Sequence, residues 1–267
     1  MTPSPAPSDP DRPVSPKDAF VTVYGRKPVL EALGDPALVV DKVVLAEGVD
    51  RGAVRTFTAA ARARGLELQR ASAQRVKVLA GNGRQDQGVL ADVVAPRMRP
   101  LEHFLADLGP GGERSAADAR VLVLDGLTNP ANVGMILRSA TGAGLEGVLL
   151  PRRGVPSIDP LVVKASAGVA FRAPVLRSRT AADGLAALAE AGFVLYGLDG
   201  GAEVSLFTAE LPGRVALVVG GETDGLTDAV RAELHGTLTI PLAAGVESLN
   251  AACAATVACF ELARRRG

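Results

Sequence analysis

The 267-residue sequence contains no tryptophan, two tyrosines and seven phenylalanines. At 3% aromatics it excludes a mode of nucleic-acid binding dominated by base stacking. Its two cysteines, Cys253 and Cys259, lie six apart in one helical stretch. That spacing is wrong for a disulfide within a helix, and two thiols are too few for a zinc site, so both are expected to be buried small hydrophobes. His103 and His235 stand alone, which leaves too little material for a metal centre or a histidine-based triad. Net charge is also missing, with 29 basic against 29 acidic residues, so no overall pull toward polyanions or membranes exists. No run approaches the ~18 apolar residues of a membrane span, and no basic stretch followed by an apolar core opens the chain. The expectation is a cytoplasmic protein without membrane or metal partners. Neither G-x-G-x-x-G after the first strand nor G-x-x-x-x-G-K-[ST] occurs, which removes the usual dinucleotide and phosphate loops.

What is present is regular alternation. Residues 1–17 are rich in Pro, Ser and Asp and are expected to form a disordered tail. From 18 to 96, helical stretches alternate with apolar strands such as Lys42–Glu47 and Gly88–Ala95, which predicts a small three-layer α/β domain. Residues 18–99 carry 13 basic and 9 acidic side chains, a bias that permits contact with a polyanion. Residues 97–119, a short helix and then a Gly/Pro/Ser/Asp-rich stretch, read as a linker. From 120 to 267 strand and helix alternate almost without exception, which calls for a mainly parallel sheet covered on both faces. Ligands collect at the carboxyl ends of the strands in such sheets.

Three loops at such strand ends carry residues that folding alone does not require. The first spans Asp125–Gly144, where Asn129-Pro130 signals a turn, Asn132 suits a helix cap, and Arg138 falls on an otherwise apolar helix. A partly buried arginine there needs an anionic partner. In the second, Gly220 and Gly221 let the backbone approach a ligand, and Glu222 follows at once. The third leads from Thr239 into the final helix, where Ser248 suits the N-cap and Asn250 sits in the first turn in need of partners. Leu249, Ala252, Cys253, Thr256, Val257 and Phe260 predict the buried face of that helix.

Together these loops read N-P-x-N-x-G-x-x-x-R-x-A (Asn129 to Ala140), G-x-E-x-x-G (Gly220 to Gly225) and I-P-[ML]-x5-S-L-N (Ile240 to Asn250). In order and spacing they resemble the SpoU/TrmH family of SPOUT methyltransferases, which methylate ribose 2′-hydroxyls in RNA. Tyr24–Leu33 and Gln87–Val93 are similar to the family's L30e-like substrate-binding domain, with Asp86 where a His usually precedes Gln-Gly. The branch it resembles most modifies large-subunit ribosomal RNA; transfer-RNA methylation, antibiotic-resistance methylation and a non-catalytic RNA-binding role in ribosome assembly are the rivals.

The resemblance implies an α/β fold in which a C-terminal parallel-sheet SPOUT domain (120–267) holds a deep trefoil knot and a small L30e-like domain (18–96) precedes it. It implies S-adenosyl-L-methionine as cofactor, bound by Gly220, Gly221, Ile240, Leu242 and Leu249. Arg138 would lie at the ribose hydroxyl, with Asn132, Glu222, Ser248 and Asn250 orienting it and the ribose. The enzyme would act as a homodimer through the catalytic domain. RNA, most of all ribosomal RNA, would meet Arg26, Lys27, Arg51, Arg55, Arg62 and Arg64 of the small domain.

Overall fold

The computed structural model describes residues 18–81, 85–109, 118–243 and 245–266. The expected tail at 1–17 lies outside them. Two sheets organise the chain. The first is built from β1 (Phe20–Tyr24), β2 (Val40–Ala46), β3 (Leu68–Ala71) and β4 (Val89–Val94) in the order β1-β4-β2-β3. β4 runs antiparallel to both its neighbours, while β2 and β3 are parallel. Successive side chains of a strand point to opposite faces, and both faces here are apolar. Val43, Leu45, Ala91 and Val93 pack under α1 (Arg26–Gly34) and α2 (Arg51–Ala63), burying Val29, Leu33 and Phe57. Val44, Ala46 and Leu90 face α3 (Ala73–Ala80) through Val76. Asp50 and Ser72 begin α2 and α3 by accepting from Ala53 N and Arg75 N, which fixes where the polar turns end and the helices start.

The second sheet has seven strands, all paired in parallel, in the order β11-β9-β10-β6-β7-β8-β5. Its strands are β5 (Arg99–Pro100), β6 (Ala119–Leu124), β7 (Gly147–Leu149), β8 (Val175–Arg177), β9 (Val194–Leu198), β10 (Arg214–Val219) and β11 (Gly236–Leu238). Val121 and Val123 point to a core shared with α4 (Leu101–Asp107), α7 (Ala181–Glu190) and α8 (Asp228–Arg231). Leu122 and Leu124 point the other way, under α5 (Pro130–Gly142), α6 (Pro160–Ala165) and α9 (Ala251–Arg264). Residues buried on both faces explain why these strands read as unbroken apolar runs.

The region read as a linker is structured at its start. Arg99–Pro100 pairs with Leu176–Arg177 at the sheet edge, and Leu101, Phe104 and Leu108 enter the second core. Three well-spaced apolar residues on a short helix outweighed the Gly/Pro-rich stretch behind it, and residues 110–117 lie outside the described ones. The last strand, β11, ends at Leu238, and Thr239 makes a single bridge to Ser205. The backbone of 240–243 is thereby released from the ladder, and it becomes a wall of the site.

Candidate functional site

All seven parallel strands end at the same edge, so the loops after β9, β10 and β6 converge there. The turn after β10 is closed on itself, Gly221 N donating to Gly225 O at 3.0 Å and Gly225 N to Gly221 O at 3.1 Å. A Cβ at Gly220 would stand 2.5 Å from Gly225 O and 2.7 Å from Leu226 N, and one at Gly221 would enter the carbonyl of Gly126. Both glycines are therefore required by the chain's own backbone, in addition to letting it approach a ligand. Asp125, buried at the end of β6, accepts from Thr227 N at 2.7 Å and ties the β6 and β10 loops together.

Beside this turn, Asn132 is 2% exposed. Its Nδ2 donates to Glu222 Oε1, and its Oδ1 accepts from Asn250 Nδ2 at 3.3 Å. Asn250 Oδ1 in turn accepts from Ala252 N at 2.9 Å and Cys253 N at 3.3 Å. Three residues from the first turn of α5, the β10 turn and the start of α9 thus form one chain ending on the first turn of α9. Two cap assignments change as a result. Asn129, not Asn132, caps α5, accepting from Ala131 N with Pro130 at the first helical position. Asn250, not Ser248, caps α9. Ser248 is exposed and makes no hydrogen bond among the described residues.

Ile240, Leu242, Glu247, Ser248 and Leu249 enclose, with the Gly220 turn, a cleft of about 220 Å³. Gly220, Gly221, Ile240, Leu242 and Leu249 all line it, as do Glu222 and Ser248. Leu242 and Leu249 keep 37% and 36% of their surface exposed, so this is apolar surface left without a protein partner. Sequence reading missed Leu198, Asp199, Gly200, Val219, Gly225, Glu247, Ala251 and Ala254 on the same lining. The Leu-Asp-Gly after β9 was legible by the strand-end rule that found the other loops. The Gly201 amide and then Arg231, at 3.0 Å, hold the Asp199 carboxyl below its ordinary range. Glu247 has no ion pair among the described residues.

Arg138 departs from expectation. It is exposed and has no hydrogen bond or ion pair among the described residues, so no anion of its own chain neutralises it. Helical spacing explains this: Ala131, Met135, Arg138 and Gly142 share the outer face of α5, opposite Val133, Ile136 and Leu137. α5 is held to α9 by Ser139 and Thr256, whose hydroxyls lie 2.7 Å apart. The buried face of α9 is also not the expected one. Ala251, Ala252, Ala255, Ala258, Cys259 and Leu262 are buried, while Cys253 and Phe260, the latter 52% exposed, point outward. Small residues let α9 approach α5 closely, and the larger ones are excluded from that contact. Only Cys259 is the buried hydrophobe expected of both cysteines, and burial pushes its thiol up to about 12. His235 is structural, its Nδ1 accepting from Leu195 N at 3.2 Å.

Residues 119–260 match the family model described as the SpoU rRNA methylase family, and residues 22–99 match the one described as RNA 2′-O ribose methyltransferase substrate binding. The chain is 36% identical over 244 residues to the 23S rRNA (guanosine-2′-O-)-methyltransferase RlmB of Xylella fastidiosa, covering 91% of this chain and 96% of that one. The chain belongs to the SpoU rRNA methylase family. Solved SpoU structures agree with the fold. AviRb from Streptomyces viridochromogenes, in complex with the cofactor AdoMet, aligns with a TM-score of 0.60 at 25% identity, covering 93% of this chain and 91% of that one. A TrmH-family methyltransferase of Porphyromonas gingivalis, described as putative, aligns at 0.59 and 29% identity over 93% and 91%. This SpoU protein is accordingly an RNA ribose 2′-O-methyltransferase.

In the substrate-binding part of this SpoU chain, the six basic candidates separate into groups. Arg51, Arg55 and Arg62 lie on α2, are exposed and carry no ion pair among the described residues. Arg26 pairs with Asp50 at 2.9 Å, and Lys27 lies 3.8 Å from Glu31. Arg64 is a structural tie instead, donating to Asp35 O at 3.1 Å and to Leu38 O. It follows α2 directly and satisfies carbonyls in the turn after α1, a task its sequence position did not advertise.

Proposed function

We propose that this protein transfers the methyl group of S-adenosyl-L-methionine to a ribose 2′-hydroxyl of 23S ribosomal RNA. The observation that carries the reading is the meeting of the cleft with the Glu222–Asn132–Asn250 chain, beside a helix that presents an exposed arginine, unpaired among the described residues. The RlmB relatives, matched over nearly their whole length, support large-subunit RNA over transfer RNA.

The cleft suits the cofactor. Leu198, Val219, Ile240, Leu242 and Leu249 offer apolar surface to an adenine, the glycine turn offers backbone polar groups, and Glu247 offers a carboxylate to a cation. Bound there, the cofactor supplies an electrophilic methyl on a sulfonium. The chain's own work is to position the hydroxyl and manage its proton. A guanidinium stays protonated, so Arg138 acts by orienting the hydroxyl or its neighbouring phosphate and by stabilising oxyanion character as the hydroxyl proton passes to that phosphate or to water. Glu222, Asn132 and Asn250 hold the two helices that frame the reacting groups, and Ser248, free on the cleft wall, meets cofactor or ribose.

The reading includes a homodimer formed through the catalytic part. Phe260 and Cys253 on α9 and Met135 on α5 leave apolar surface exposed on helices that pack against each other, with Arg138 on the same face as Met135. It also includes the trefoil knot. Arg265, just past α9, donates to Ala209 O at 2.5 Å and Leu206 O at 2.6 Å, while Glu247 lies against Gly200, so the 199–209 loop is gripped on both sides by the C-terminal segment. RNA contact falls to Arg26, Lys27, Arg51, Arg55 and Arg62, in a substrate-binding domain of residues 18–96 that precedes a catalytic domain of residues 120–267.

The test is methyl transfer from labelled cofactor to 23S and transfer-RNA transcripts, with ribose methylation mapped afterwards. The wild type methylates one ribose of the 23S transcript. Arg138→Ala loses about 100-fold or more in kcat with unchanged melting temperature and cofactor affinity. Undiminished transfer by that variant would remove Arg138 from the mechanism; transfer only to transfer RNA would replace the substrate.

A further inference from the structure

A second charged cluster lies where the two sheets meet. Asp18, just before β1, is 2% exposed, and its Oδ2 accepts from Arg152 Nη2. Its Oδ1 stands 4.0 Å from Arg177 Nε, and neither of those atoms has a hydrogen-bond partner among the described residues. Arg177, at the end of β8, donates through Nη1 to Leu150 O at 2.8 Å. Burial, reinforced by the neighbouring Arg152, pushes the Arg177 guanidinium down to about 10, where it is still charged near neutrality. One carboxylate therefore faces two cations, and the cluster keeps an excess positive charge.

That excess is presented outward. Arg152 N donates to Ser178 O at 3.0 Å, and its guanidinium is fixed by Asp18, yet 40% of its side chain remains exposed. A guanidinium has five N–H donors, and Asp18 leaves most of them available. Arg153 beside it is exposed and has no partner among the described residues. Both lie in the loop after β7, and β7 is the immediate neighbour of β6, whose own loop carries Asn129 and Asn132. At about 4.8 Å per strand, the loop is roughly 10 Å from the Gly220 turn along the same edge.

We propose that Arg152 and Arg153 bind the RNA phosphates flanking the modified nucleotide, and that Asp18 is a positioning residue that holds Arg152 for this contact from the small domain. The assignment rests on RNA being the substrate. It gives the RNA a path from the small domain to the catalytic edge along residues that no sequence motif singles out. Holding Arg152 at both ends removes the side-chain entropy that a free arginine loses on binding. A point contact by Arg153 and a preset fork by Arg152 are different recognition elements, one tolerant and one geometric.

The experiment measures binding of a protein-free 23S rRNA transcript across salt concentrations, with cofactor titrations and thermal melts alongside. Removing one phosphate contact reduces the slope of log K against log salt by about 0.7–0.9. Arg153→Ala, which breaks no hydrogen bond or ion pair among the described residues, reduces the slope by about that amount with melting temperature and cofactor affinity unchanged. Arg152→Lys keeps the charge but loses the fork and weakens binding about tenfold. Asp18→Asn raises the KM for RNA while kcat and cofactor affinity hold, and Asp18→Glu restores part of it. A wild-type slope in Arg153→Ala together with wild-type affinity in Arg152→Lys would overturn the proposal. Should the wild type bind the transcript without methylating it, the proposed substrate falls while the slopes still decide the arginines. Absence of any binding by the wild type overturns both.

Discussion

Replacing Asn250 separates the two duties of one side chain. In Asn250→Ala, α9 loses its N-cap acceptor for Ala252 N and Cys253 N, a loss of about 1 kcal/mol. Asn132 Oδ1, on a residue only 2% exposed, also loses its donor. That group's unmet hydrogen bond costs about 1–3 kcal/mol, and the 3.3 Å length of the original bond favours the low end. The sum is about 2 kcal/mol, a fall of roughly 4–8 °C in melting temperature for a chain of this size. Asn250→Asp retains the acceptor and suits the helix N-terminus, so it recovers the cap, but it has no donor for Asn132 and should lose about 1 kcal/mol. Ser248→Ala, at an exposed residue without hydrogen bonds among the described residues, stays within about 0.5 kcal/mol of wild type. Urea unfolding, read as midpoint shifts at constant m, ranks the three variants. If Ser248→Ala cost as much as Asn250→Ala, the cap assignment would be refuted; if Asn250→Asp matched wild type, the link to Asn132 would carry no energy.

Gly220→Ala places a methyl against the backbone of Gly225 and Leu226, which cannot move aside as a side chain would; a loss of about 3 kcal/mol, roughly 10 °C in a thermal melt, is expected even without cofactor. An unchanged melt would contradict the packing of the turn. Glu261 is held at about 2 by Arg264 first and then Arg265, well below its ordinary 4.5. A depressed carboxylate stabilises the fold above about pH 4.5 and loses that contribution as pH falls toward 2. Wild type should therefore exceed Glu261→Gln by on the order of 2 kcal/mol at pH 7, after allowing for solvent around Arg264, with the gap closing below pH 4.5; a gap independent of pH would exclude the ion pairs as its cause. Phe260→Asp on the outer face of α9 should convert the proposed homodimer into a folded monomer by light scattering, and a dimer that persists would locate the proposed interface elsewhere.

The parallel sheet and the strand-end loops were legible because they rest on local patterns. β-branched runs, the Asn129-Pro130 turn and the glycine pair after β10 each determine their own neighbourhood. The misread features depend on residues far along the chain. Ser248 and Asn250 are equally good caps in isolation, and Asn132, 118 residues away, decides between them. Arg138 looked partly buried because its helix is apolar, yet its phase on that helix turns it outward. The inner face of α9 was taken from its larger residues, whereas close contact with α5 selects alanine. Asp199 was missed as a single acid after a strand, and Asp18 because nothing local distinguishes a buried carboxylate from a solvated one.

The glycine turn has a further consequence for anything designed to occupy the cleft. Its wall at Gly220 and Gly221 is main chain braced against main chain, where any added side chain would meet the backbone of Gly225, Leu226 and Gly126. An inhibitor whose contacts were confined to that wall would meet a surface that point mutation can alter only by undoing the fold. Escape variants would have to arise across the cleft, among Leu242, Glu247 and Leu249, where side chains face the ligand and the backbone leaves room for change.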